Sequence, residues 1–151
     1  MNPQHRPIHI LIAEDNPADA ELAMIALQES RIANSFDIVN DGEAVIDYLR
    51  KQAGYEHKKR PDLMLLDINL PRKSGFEILE EVKQDAELKA IPVVMLTSSS
   101  SEEDILRSYQ NYASCYITKP IEFTAFMEVI RSIEQFWVSI VKLPEPHVEG
   151  S

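Results

Sequence analysis

Five short, largely apolar runs recur along the chain: Ile8–Ala13, Phe36–Val39, Leu63–Leu66, Ile91–Leu96 and Ser114–Thr118. Segments with helical spacing separate them. Runs that stay apolar on consecutive residues, rather than alternating, suit strands covered on both faces. Strands alternating with helices pair in parallel through right-handed crossovers. The pattern predicts an α/β fold with a single doubly wound five-stranded parallel sheet. Its ligands should lie beyond the carboxyl ends of the strands.

The connecting segments carry their own signals. After the first run, Asn16 suits a helix N-cap and Pro17 the first helical position. Asp19 and Glu21 then read as first-turn charges favoured by the helix dipole. Leu22, Ile25, Ala26 and Ile32 are expected to form the buried stripe of this helix. Asn40–Glu43 reads as a turn leading into a helix through Ala44, Val45, Tyr48 and Leu49, and the polar stretch from Lys51 to Arg60 as a loop. A third helix follows Gly75, marked by Phe76, Leu79, Val82 and Leu88. A fourth is expected from Glu102 through Tyr109, and a last one from about Glu122 past Trp137.

Composition removes several function classes. The net charge is -10, with 25 acidic and 15 basic residues and no basic stripe, so direct nucleic-acid binding is not expected. The one short basic cluster, His57–Arg60, reads as a solvated loop. The apolar runs are far shorter than a membrane span, and Met1–His9 lacks a hydrophobic targeting region. A cytoplasmic location without membrane partners is the expectation. A single cysteine, Cys115, excludes an internal disulfide framework and reads as a core thiol.

The strand ends carry the chemistry. The first run ends at Glu14 and Asp15, the third at Asp67, the fourth at Thr97 and the fifth at Lys119. In an open parallel sheet these ends lie side by side. Grouped carboxylates repel one another unless a cation sits among them. A hard divalent ion such as Mg²⁺ fits oxygen ligands of this kind. Lys119 supplies a point charge for Asp67 or for a phosphoryl oxygen, and Thr97 a hydroxyl. Asp67 is thus a candidate nucleophile toward a phosphoryl group. Each residue also has a plainer reading: Asp67 as a turn cap, Glu14 and Asp15 as charges preceding a helix, Thr97 and the serines after it as capping residues, Lys119 as a solvated charge, Tyr116 as a half-buried core ring. Their joint occurrence at one sheet edge is what the plainer readings leave unexplained.

With Glu14-Asp15, Asp67, Thr97 and Lys119-Pro120 at these positions, the chain resembles the receiver domains of two-component response regulators, over nearly its whole length. The resemblance implies a flavodoxin-like fold with strand order 2-1-3-4-5. It implies a receiver over residues 6–144, a tail at 145–151 and no output domain. It further implies that Asp67 accepts phosphate from a histidine kinase or phosphotransfer protein, without the chain being a turnover enzyme. Asp15 and Asp67 would ligate Mg²⁺ (or Mn²⁺), Glu14 would help through water, and the Asn69 carbonyl would complete the set. Thr97 and Tyr116 occupy the positions of the family's conformational switch. Glu14, where the family more often has aspartate, lengthens one arm of the site. The segment Asn69–Gly75 and the ending Phe136-Trp137…Lys142-Leu143-Pro144 resemble the small response regulators that partner bacterial phytochromes. That implies a phytochrome-type kinase and a homodimer through the fourth helix, fifth strand, fifth helix and C-terminal segment. The broad apolar surface of the last helix, including Phe123, Phe126, Met127, Ile130, Phe136 and Trp137, fits such a partner face.

Three alternatives remain at this stage. A receiver-like binding module would leave Asp67 unphosphorylated in the cell. A haloacid-dehalogenase-type phosphatase needs a second aspartate two residues after the nucleophile, where this chain has Asn69. A nucleotide-binding flavodoxin-like protein lacks support because no glycine-rich loop follows the first strand.

Overall fold

A computed structural model describes residues 7–30, 33–97, 115–119, 124–129 and 131–132. Within them the elements are β1 (Ile8–Ala13), α1 (Pro17–Glu29), β2 (Asn34–Val39), α2 (Gly42–Leu49), β3 (Leu63–Asp67), α3 (Gly75–Gln84), β4 (Val93–Thr97) and β5 (Cys115–Thr118). Residues 124–129 are helical as well. The strands form one parallel sheet in the order β2-β1-β3-β4-β5, as expected. The chain winds outward from β1 to β2, then crosses back to β3. The crevice between β1 and β3 is therefore the point where the winding reverses, and ligands of such sheets bind there.

Each face of the sheet has its own core. Leu11, Met64, Leu66, Val93 and Met95 point to one side, where Val45, Leu49, Phe76 and Leu79 of α2 and α3 cover them. Ile10, Ile12, Leu65, Val94 and Leu96 point to the other, against Ala23, Ala26, Leu27 and Phe126. Phe126, read from sequence as one of the apolar residues of the last helix, is fully buried in this second core, and Met127, expected at a partner face, packs against it half-buried. Phe123, Ile130, Phe136, Trp137 and the expected fourth helix lie outside the described residues.

Several boundaries differ from expectation. β2 begins two residues earlier, at Asn34, and buries only Val39, because it is the edge strand and has a neighbour on one side alone. α3 ends at Gln84; Leu88 is buried from a turn beyond it. β4 starts at Val93 rather than Ile91. The expected stripe on α1 holds at Ala26 but fails at Leu22 and Ile25, which are 40% and 41% exposed, while Ala20, Ala23 and Leu27 complete the buried face; Ile32 lies outside the described residues. Alanines make most of the buried face of this helix, with Leu27, and the larger Leu22 and Ile25 are turned outward. The basic loop is tied down rather than free, with Lys58 3.3 Å from Asp37 and Arg60 3.1 Å from Glu87.

Candidate functional site

β1 delivers the first part of the site. Immediately beyond it Glu14 is buried, its backbone N–H held 3.0 Å from the Val39 carbonyl, while Asp15 is exposed. The turn into α1 is fixed by Asn16, whose Oδ1 accepts from the N–H groups of Ala18 and Asp19 at 2.9 and 3.1 Å. Its own N–H donates to Glu14 Oε2 at 3.0 Å. The predicted N-cap and N1 proline are both in place.

β3 delivers Asp67, buried at its last position. Its Oδ1 accepts from the Asn69 N–H at 3.0 Å, which curls the chain around the carboxylate. The next residue is pinned on two sides: the Ile68 N–H donates to Leu96 O at 2.9 Å and the Ile68 carbonyl accepts from Gly75 at 2.8 Å. Gly75 opens α3 directly against this backbone; a Cβ there would lie 2.4 Å from the Asp67 carbonyl oxygen. Ser74 caps α3 through a reciprocal box with Glu77.

The remaining residues come from the β4 and β5 ends. Thr97 is buried and pairs in register with Thr118. The Lys119 N–H donates to the Thr97 carbonyl at 2.6 Å, so the two strand ends are joined at the residues of interest. Tyr116, paired with Met95, is half-buried against the core on the α2 and α3 side.

Lys119 organises the electrostatics. Its ammonium lies 2.8 Å from Glu14 Oε1, 3.1 Å from Asp67 Oδ2 and 3.2 Å from Asp19 Oδ2. Burial alone would lower its pKa. The hydrogen bonds it donates to Glu14 and Asp67 outweigh that and hold it above the ordinary lysine range. Burial pushes Glu14 up to about 7, against the opposing hydrogen bonds of Lys119 and Asn16 and with a further push from Asp67. Glu14 Oε1, although close to the lysine charge, is buried without a directed hydrogen bond.

The donor set of three carboxylates fits a hard cation. Glu14, Asp15 and Asp67 each offer a carboxylate oxygen, and these atoms lie within 4.8 Å of one another. Asp15 and Asp67 border an open pocket of about 570 Å³ that Asn69 and Lys119 also line. Sequence reasoning placed Asp19 among ordinary helix charges, but the structure puts it in this pocket beside Lys119. The available signal was its position: the first turn of a helix that starts at a strand's carboxyl end faces the crevice.

Known proteins give the same picture. Residues 10–131 match the model of the response regulator receiver domain. The response regulator Rcp1 of Synechocystis sp. is 43% identical over 138 residues, covering 91% of this chain and 94% of that protein. The crystal structure of the phosphorylated cyanobacterial phytochrome response regulator RcpA aligns with a TM-score of 0.78 at 42% identity, covering 93% of this chain and all of that one. The Mn²⁺-bound form of Rcp1 aligns at 0.76 and 43% identity, over 91% of this chain and 99% of that one. A sheet of this order, carrying acidic residues at its switch point and matched along most of its length, places the chain in the response regulator receiver domain family, whose members are signalling phosphoacceptors rather than turnover enzymes.

Proposed function

We propose that Asp67 is the phosphoacceptor and that it takes its phosphoryl group from a histidine kinase or histidine phosphotransfer protein, the kinase being of the phytochrome type. The observation that carries the reading is the position of the buried Asp67 carboxylate, 3.1 Å from the Lys119 ammonium and beside Glu14 and Asp15. An Asp67 oxygen forms the new P–O bond as the donor's bond to phosphorus breaks. Lys119 faces the charge that develops on the phosphoryl oxygens, and the Thr97 hydroxyl offers them a further hydrogen bond. Glu14, Asp15 and Asp67, with the Asn69 carbonyl, would hold Mg²⁺, or Mn²⁺ in its place; when bound, the ion supplies neutralisation of phosphoryl charge. Thr97 and Tyr116 carry the phosphorylated state to the surface around β5. The phytochrome-type partner rests on the similarity to RcpA and Rcp1.

A homodimer through the last helix, involving Phe123, Met127, Ile130, Phe136 and Trp137, belongs to the same reading. The burial of Phe126 limits how much of that helix is left for a partner. Sedimentation with and without phosphorylation tests the dimer, and a monomer in both states removes it.

The central experiment is intact mass after incubation with Mg²⁺ and acetyl phosphate. A gain of one phosphoryl group is expected, absent when Mg²⁺ is chelated and absent in Asp67→Asn. No gain in the native protein overturns the phosphoacceptor reading.

A further inference from the structure

The receiver reading assigns no role to Asp19, yet its carboxylate is the third to reach Lys119, at 3.2 Å, and it lines the pocket above Asp67. The helix dipole accounts for an acid in the first turn of α1. It does not account for a side chain only 16% exposed and turned onto the lysine rather than into solvent. Glu14 and Asp67 already surround the ammonium from the buried side. Asp19 therefore adds little that Lys119 needs for its own placement. What it adds is negative charge on the rim of the pocket, next to the exposed Asp15.

Resting on the phosphoacceptor reading, we infer that Asp19 is a specificity-determining residue that disfavours free, small, highly charged phosphodonors at Asp67. A donor must bring its phosphoryl group past this rim. Acetyl phosphate is a dianion near neutral pH and meets this like charge on the rim without a docking surface to offset it. Phosphoramidate carries one negative charge fewer and meets less. A phosphohistidine on a protein partner arrives with a docking surface whose contacts offset the same repulsion. Discrimination of this kind is a difference between donors created by a repulsive element, and it costs the intended partner little. Asp19 also shares the ammonium, which keeps part of the Lys119 charge at the pocket mouth rather than at Asp67.

Both transfers balance simply. An Asp67 oxygen bonds to phosphorus as the P–O bond of acetyl phosphate breaks to release acetate, or as the P–N bond of phosphoramidate breaks to release ammonia.

The test compares the wild type with Asp19→Asn and Asp19→Glu, using both donors at saturating Mg²⁺ and following intact mass. In Asp19→Asn the rate constant at subsaturating acetyl phosphate should rise by roughly three- to tenfold at low ionic strength, through a lower half-saturating donor concentration. The rise should be smaller with phosphoramidate and should shrink toward high salt. Asp19→Glu, which keeps the charge, should stay near wild type. Thermal melts of the three proteins, which should coincide, separate this effect from damage to the fold. Unchanged acetyl phosphate kinetics in Asp19→Asn overturn the inference. So does an equal, salt-independent acceleration with both donors, which would make Asp19 a restraint on Lys119 alone, or an Asp19→Glu variant as fast as Asp19→Asn. If the wild type takes phosphate from neither donor, the phosphoacceptor reading falls first and the inference with it.

Discussion

At the scale of single residues, Glu14 shows how burial turns a charge into a sensor of what occupies the site. Its pKa near 7, against 4.5 for an ordinary glutamate, means that the folded protein retains a proton between those values that the unfolded chain has lost. The sign follows from linkage. Stability from this group is fully present below pH 4.5 and declines as pH rises through about 7. A divalent ion competes for the same oxygens, so its apparent affinity should fall as pH drops below about 7, approaching tenfold per pH unit where one proton is displaced. Calorimetric Mg²⁺ titrations between pH 6 and 8, run in buffers of different ionisation enthalpy to count the protons released, measure this directly. Glu14→Gln should flatten the pH dependence while weakening binding overall; a profile as steep in the variant as in the wild type would place the proton elsewhere. The sequence made Glu14, Asp15, Asp67 and Lys119 legible as a set because each ends a strand. It could not reveal that Glu14 is buried and Asp15 exposed, since two adjacent residues leaving a strand take opposite directions that only the packing decides.

At the scale of elements, the site depends on how closely α2 and α3 start against the turn after β3. Gly75 meets the Asp67 and Ile68 backbone, and Gly42 meets the Lys73 backbone, where an added Cβ would lie 2.1 Å from the carbonyl oxygen. Gly42 also donates its N–H to Pro71 O at 2.9 Å, and Arg72, held at a positive φ of 72°, pairs with Glu43 at 3.4 Å. The turn that carries Asn69 is thus gripped from two helix starts. Gly75→Ala should cost about 1–3 kcal/mol by overpacking, and should also slow phosphorylation, because the atom displaced belongs to Asp67 itself. Ser74→Ala, which removes only the cap, should cost about 1 kcal/mol and leave the phosphorylation rate near normal. Urea denaturation beside phosphorylation kinetics separates the two, and equal rate losses in both variants would contradict the close-contact argument. The helix was readable from the spacing of Phe76, Leu79 and Val82 after the turn at Ser74-Gly75. The role of Gly75 was not, because a glycine before an apolar run looks the same whether it faces solvent or a neighbouring backbone. The buried face of α1 was misread at two positions for a related reason: its alanines carry little hydrophobic signal, and the larger Leu22 and Ile25 dominated the pattern while facing outward.

At the scale of the whole molecule, the fold brings together charges that the unfolded chain keeps apart. Glu14 and Asp15 leave β1, Asp19 opens α1, Asp67 ends β3, and Lys119, which follows β5, is the cation that pairs with Glu14, Asp19 and Asp67. The parallel sheet was legible because its inner strands are apolar enough to be buried on both faces, its order came from the family resemblance, and that order sets the β1 and β3 ends side by side. The gathering of carboxylates opposes folding, and a cation that binds them rewards it. Since an unfolded chain cannot hold Asp67 beside Glu14 and Asp15, Mg²⁺ should bind the native state alone. At a concentration one hundred times its dissociation constant it should then add about 2.7 kcal/mol, which for a domain of this size raises the melting temperature by roughly 5–11 °C. The chain's net charge of -10 offers a competing cause, because any salt relieves general repulsion. The two separate cleanly: MgCl₂ and NaCl at matched ionic strength screen the surface alike, but only Mg²⁺ occupies the site. Thermal melts should therefore show a larger rise with MgCl₂ in the wild type, and the difference should vanish in Asp15→Asn and Asp67→Asn. Equal rises with the two salts in the wild type would mean that the pocket holds no divalent ion and that its carboxylates are neutralised by Lys119 alone.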